Sequence, residues 1–142
     1  MRLSDSINYM EHGKLYAQGD LRGAANALRR CIAEMDPATE RDKIAFLWQR
    51  MGSLAFEEGR IGESVHMYEK AQEICPESLI LKVQFARFLH EKVKLPDRAD
   101  AICDEVVSTY KSKQLGGSFA PNENVDCEKM ALELKSRIML EK

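Results

Sequence analysis

Apolar residues recur along most of this chain at intervals of three and four, the spacing of one face of an α-helix. The clearest run is Leu21, Ala24, Ala25, Leu28, Cys31, Ile32 and Met35. A second is Ile61, Ser64, Val65, Tyr68, Ala71, Ile74 and Cys75, and a third is Ala99, Ile102, Cys103, Val106, Val107 and Tyr110. Each follows another helical segment, over 5–18, 40–57 and 78–93, and no stretch alternates as a strand would. Short breakers separate the segments: Gly19-Asp20, Asp36-Pro37, Gly59, Pro76 and Pro96-Asp97. Asp20 and Asp97 suit helix N-caps, and Pro37 suits the first turn of the helix that follows. The pattern predicts an all-α chain built on three antiparallel helix pairs.

Beyond Tyr110 the pattern stops. Residues 113–124, with Gly116-Gly117 and Pro121, read as a loop, and residues 125–142 read as a C-terminal helix striped by Cys127, Met130, Ala131, Leu134 and Ile138. The end of a helical stack exposes an apolar face, so this helix is expected to cap the last pair. The long linker also lets it reach a groove of its own chain or of a second copy, which would make a homodimer.

The pairs resemble one another at spacings of 34 to 40 residues. Gly52 lies 39 residues after Gly13, Gly59 lies 40 after Gly19, Pro76 lies 39 after Pro37, and Ala86 lies 34 after Gly52. The middle unit carries Trp48, Met51-Gly52 and Ala55 on a first helix, Gly59 at a turn, Ser64, Tyr68 and Ala71 on a second helix, and Pro76 at its end. This order resembles the tetratricopeptide repeat, a helix–turn–helix unit of about 34 residues. Two helices cross closely only where Gly or Ala removes bulk; aromatics fill the wedge between them, and Pro stops the second helix. In the first unit Tyr9, Gly13 and Tyr16 match the first helix, which leaves the turn at Gln18–Leu21 one residue short. The other phase keeps the turn but buries Glu11 and His12, and is disfavoured for that. The third unit offers Ala86 for the glycine, Lys82 for the aromatic, and a turn about one residue too long.

The resemblance implies a right-handed superhelical solenoid in a single domain. Residues 1–112 would form three repeats, about 5–37, 41–76 and 78–110, before the loop and the capping helix. It also implies that the first helix of each pair lines a concave face that binds a peptide or amphipathic helix of a partner protein. In the middle repeat that face is expected to carry Phe46, Gln49, Ser53 and Phe56. In the first it carries Ile7, Met10, Lys14 and Ala17, and in the third Ile80, Val83, Arg87 and His90. One subclass of the family grips a C-terminal carboxylate with inner Lys, Asn and Arg side chains; only Lys14 and Arg87 stand at comparable positions here. Another rival within binding functions is the small tetratricopeptide chaperone of bacterial secretion systems, which holds apolar client segments in such a groove.

Composition narrows the function further. Lys plus Arg number 21 against 23 Asp plus Glu, a net charge of −2. That lacks the basic excess of a dedicated nucleic-acid binder and gives no attraction to an anionic membrane. No apolar run is long enough for a signal peptide or a membrane span, so a cytoplasmic protein is expected. Four cysteines, at 31, 75, 103 and 127, form no Cys-x-x-Cys pair and fall on apolar stripes, as reduced buried thiols do. No phosphate loop, nucleophile elbow or zinc-helix motif occurs, and His12, His66 and His90 stand on different helices. The expectation is a scaffold with no catalysis and no cofactor.

Overall fold

A computed structural model describes residues 2–115 and 123–141. Among the described residues it contains seven α-helices and no strand. They are α1 (Ile7–Ala17), α2 (Leu21–Ala33), α3 (Arg41–Glu57), α4 (Ile61–Ile74), α5 (Leu79–Phe88), α6 (Pro96–Leu115) and α7 (Glu123–Glu141). A 3-10 turn, Leu3–Asp5, precedes α1, and a π-helical turn, Leu89–Val93, extends α5. The chain divides into two compact units, Met1–Pro76 and Glu77–Lys142.

Short polar side chains start several helices. The Ser6 hydroxyl accepts the Tyr9 amide, Asp20 accepts the Gly23 amide at 2.8 Å, and Ser78 accepts the Leu81 amide. Each satisfies a donor that the first helical turn leaves orphaned. Two expected start signals act differently. Pro37 lies in a turn ahead of α3, closed by Asp36, whose carboxylate accepts from the Ala38 amide and the Thr39 hydroxyl. Pro96, rather than a capping Asp97, opens α6, where its missing N–H costs nothing.

The three helix pairs share one turn. Asp20 N–H donates to Leu15 O and Arg60 N–H to Ala55 O, both at 2.9 Å, across a glycine with positive φ: Gly19 at 82° and Gly59 at 83°. The third turn repeats the bond as Leu95 N–H to Leu89 O, again at 2.9 Å, with Lys94 in the left-handed region at φ 65°. The next helix begins two residues on from that left-handed residue in each case, and the donor of its first bond lies five residues on, with Ala24, Ser64 and Ala99 donating to the carbonyls of Asp20, Arg60 and Leu95. The closing bond spans five residues in the first two turns and six in the third. A π-helical turn holds one residue more than an α-turn, so Leu89–Val93 absorbs the surplus residue before the second helix starts.

This register corrects the phase of the first unit. Gly19 and Gly59 are 40 residues apart, so the counterpart of Gly52 is His12 and not Gly13. A Cβ at Gly52 would stand 2.7 Å from the Tyr68 ring and 3.0 Å from the Ser64 carbonyl, so α3 and α4 cross against bare backbone. A Cβ at Gly13 would meet nothing within 4 Å, whereas His12 is buried. Glu11 and His12 do turn inward, Glu11 only in part, and the phase set aside for that reason is the one adopted.

In the first unit the core joins Leu28, Cys31 and Met35 to Ile44, Leu47, Met51 and Leu54 of α3 and Met67 of α4, with Tyr9, Leu15 and Trp48 packed partly against it. In the second, Val83, Leu89, Cys103 and Val106 are fully buried, and α7 packs on α5 and α6 through Cys127, Ala131, Leu134 and Ile138. Lys135 of α7 reaches Asp100 at 3.1 Å and also pairs with Asp104, while Arg137 pairs with Glu91. The expected loop is shorter than 113–124, since α6 runs to Leu115 and α7 starts at Glu123. Gly116, Gly117 and Pro121 lie outside the described residues.

The crossing at Gly52 yields a paired test. Gly52→Leu forces the Tyr68 ring and the α4 backbone apart, an over-packing that costs ~1–3 kcal/mol or more. The melting temperature should fall by at least about 5 °C. Gly13→Ala enters open space and gains up to ~1 kcal/mol of helix propensity, so its melting temperature should hold or rise. Calorimetry of the two variants checks the register; equal losses would refute it.

Candidate functional site

On α3, Phe46, Gln49, Ser53 and Phe56 step by three, four and three, and so share a face. Its polar members are engaged within the chain. Gln49 is buried, and Ser53 Oγ lies 2.9 Å from the Tyr68 hydroxyl. Burial pushes the Tyr68 phenol above its usual range, which keeps it a neutral hydrogen-bonding group. Phe46 remains exposed and Phe56 half-buried, so two aromatic rings mark the face that solvent reaches.

The residues of α1 that correspond to this face, 40 positions earlier, are Ser6, Tyr9, Gly13 and Tyr16. Ile7, Met10 and Lys14 instead correspond to Leu47, Arg50 and Leu54. On α3 the two leucines are buried in the core, but Ile7 stays 77% and Met10 50% exposed, and Lys14 and Ala17 are exposed as well. Met10 and Lys14 therefore stand at other repeat positions than Phe46 and Phe56. In the second unit Val83 is 0% exposed and His90 is buried, so both are core, while Ile80 and Arg87 are half-buried.

A polar cluster that the repeat pattern did not single out joins α1 to α3. Arg50 Nε–H donates to His12 Nε2 at 3.2 Å, and the guanidinium carbon sits 4.8 Å from the centre of the Tyr16 ring. That distance is within the range of a cation–π contact. The Tyr16 hydroxyl donates to Glu57 at 2.9 Å. His12 Nδ1 lies 2.8 Å from the Tyr9 carbonyl. A carbonyl can only accept and a guanidinium can only donate, so the partners assign a neutral imidazole with its proton on Nδ1. Burial lowers the His12 pKa, partly opposed by the Tyr9 carbonyl, and the Arg50 charge lowers it further.

Both ring nitrogens of His12 are thus occupied, so the cluster orients a cation and two aromatic rings and presents no free base. Among the described residues, no group of three or more His, Cys, Asp or Glu is placed to hold a metal ion. His66 is exposed on α4. His90 Nε2 pairs with Glu141 at 2.7 Å, and its Nδ1 is buried with no hydrogen-bond partner. Those two side chains, with Lys94, Pro96 and Ile138, line a cavity of about 270 Å³. No helix among the described residues is long and apolar enough to cross a membrane. All four cysteines are buried and in no disulfide, and burial together with Asp100 pushes the Cys103 thiol up to about 11.

The inward His12 ties stability to pH. A native pKa below the unfolded value means that the unfolded chain binds the proton first as pH falls. The contribution is complete above the ordinary value of 6.5 and is lost as pH falls through the lowered native one. The urea midpoint should drop between about pH 7.5 and pH 5, and His12→Gln should flatten that drop relative to wild type. Equal slopes in the two proteins would contradict the assignment. The thiols give a separate check. Ellman's reagent needs an accessible thiolate, so the native protein should react far more slowly than the urea-unfolded one, which should release the colour of all four cysteines.

No family model matches the chain, and no curated protein matches it in sequence.

Proposed function

We propose that this chain is a non-catalytic protein-interaction module of tetratricopeptide type, a three-hairpin solenoid that binds a peptide or helical segment of a partner on the face formed by α1 and α3. The observation that carries this reading is the recurrence in all three hairpins of a turn closed by one backbone bond across a left-handed residue, glycine in the first two and lysine in the third, which is one residue longer. A chain that repeats one supersecondary unit stacks its copies and displays their first helices as a continuous surface. The chemistry of that face supports recognition. Tyr16, Phe46 and Phe56 are partly exposed aromatics, the residue type enriched at binding hot spots, and Arg50 stacks on Tyr16. Arg50 makes no ion pair with a described carboxylate, so its charge is available to an acidic group of the partner.

Selection of displayed random peptides on the immobilised protein tests this. The expected result is a consensus with an apolar anchor. Phe46→Ala/Phe56→Ala should weaken the selected peptide by at least about tenfold, the loss of ~1.4 kcal/mol that one anchor commonly supplies. Both rings lie outside the fully buried core, so the melting temperature should stay close to wild type. A library that yields no consensus, or a consensus peptide that binds the double variant unchanged, would refute the reading.

A further inference from the structure

A second recessed surface lies in the first unit, between α2 and α4. Its floor is the Trp48 indole of α3 with the Met67 side chain. Arg29 of α2 stands on one wall, and Gly62, His66 and Lys70 of α4, at steps of four, form the other. The cavity measures about 490 Å³, within the range of clefts that take small ligands or single anchoring side chains.

Three features of this cleft have no role in the fold described above. The first is charge. Arg29, His66 and Lys70 make no ion pair with a described carboxylate, and the only acid on the rim, Glu63, is paired with Arg60. The cleft therefore offers two permanent cations and an imidazole in a protein whose net charge is −2. The second is Trp48, which packs only partly against the core and turns its remaining surface into the cavity. The third is Gly62. A Cβ there would meet nothing within 4 Å and its φ is ordinary, so neither packing nor backbone geometry demands glycine. Its lack of a side chain keeps the wall low.

We infer that this cleft is a binding site for an acidic peptide segment carrying one bulky apolar side chain. The apolar side chain would enter the cavity against Trp48 and Met67. Carboxylates on either side of it would meet Arg29 on one wall and Lys70 with His66 on the other. Cations on both walls of an apolar-floored cleft match an extended chain with acids flanking an anchor better than a compact anion, which would engage one wall and leave the indole uncovered. The site uses a different face from Phe46 and Phe56, so it stands or falls independently of the function proposed above.

Trp48 is the only tryptophan of the chain, so its emission reports occupancy of the cleft directly. The probe is a nine-residue peptide of aspartate and glutamate with one central phenylalanine, titrated into the full chain. A saturable change in Trp48 emission is expected, weakening as salt is raised. Replacing the phenylalanine by alanine should weaken binding at least about tenfold, as should Arg29→Glu/Lys70→Glu. Gly62→Leu projects a side chain over the cleft from a position where the fold leaves room, and should abolish the change while the circular dichroism spectrum and melting temperature stay native. Phe46→Ala/Phe56→Ala should leave it intact. The inference is overturned by no saturable change up to about 1 mM peptide, or by equal affinity in the charge-reversed variant. It is also overturned if an RNA oligomer of equal charge binds as well, or if the emission shifts with protein concentration alone while sedimentation shows a dimer, since a second copy would then be the occupant.

Discussion

The close approach of α3 to α4 at Gly52 is the constraint on which the first unit depends. The Tyr68 ring occupies the space that any Cβ at position 52 would need. With the ring there, the Tyr68 hydroxyl meets Ser53, and the Ser64 carbonyl lies within van der Waals reach of the α3 backbone. The two helices can then bury Met51, Leu54 and Ala55 on one side while Trp48 is left only partly covered on the other. The face of Phe46 and Phe56 and the cleft beside Trp48 are thus two results of one crossing. Moving the helices apart by the width of a methyl group would loosen both, because protein interiors are packed too tightly to spread such a shift.

His12 fills the corresponding position of the first hairpin, where a bulky polar ring replaces the missing Cβ. Burying the His12 imidazole costs least with both nitrogens satisfied, since an unpartnered buried polar group costs about 1–3 kcal/mol. The Tyr9 carbonyl supplies one partner from within the helix, and Arg50 supplies the other from 38 positions away. The Arg50 side chain then lies against Tyr16. One substitution at a crossing has therefore linked two neighbouring helices through polar contacts where the second hairpin uses packing.

Much of the helical layout was legible from residues alone, and the reasons are local. The stripes of α2, α4 and α6 show their period directly, and Gly19 and Gly59 punctuate the chain because only glycine adopts positive φ without strain. The middle hairpin could be read residue by residue because Gly52, Tyr68 and Gly59 each answer a steric demand. The first hairpin could not, because burial of His12 depends on Arg50, a partner that no local pattern reveals. The 40-residue separation of the two turn glycines was the available signal, and it outweighs the apparent polarity of Glu11 and His12. For the expected concave face, equal spacing assigned Phe46 and Phe56 to an accessible surface, but the same rule applied to α5 and its π-helical extension placed Val83 and His90 there, and both are buried. Periodicity sets which residues share a side of a helix; how much of that side neighbouring helices cover is a tertiary matter.

The π-helical turn at Leu89–Val93 carries a consequence for how this chain tolerates length changes. An added residue in an α-helix ordinarily rotates everything after it by about 100° and would swing a following buried stripe into water. Here the surplus is stored as a local widening of the coil, and Ala99, Cys103 and Val106 keep the stations held by Ser64, Tyr68 and Ala71 in the hairpin before. The left-handed residue that closes the loop is lysine where the other two hairpins have glycine, so the widened turn accepts a side chain that bears some backbone strain. Such a junction can take one residue more or less with the change confined to a single turn of helix.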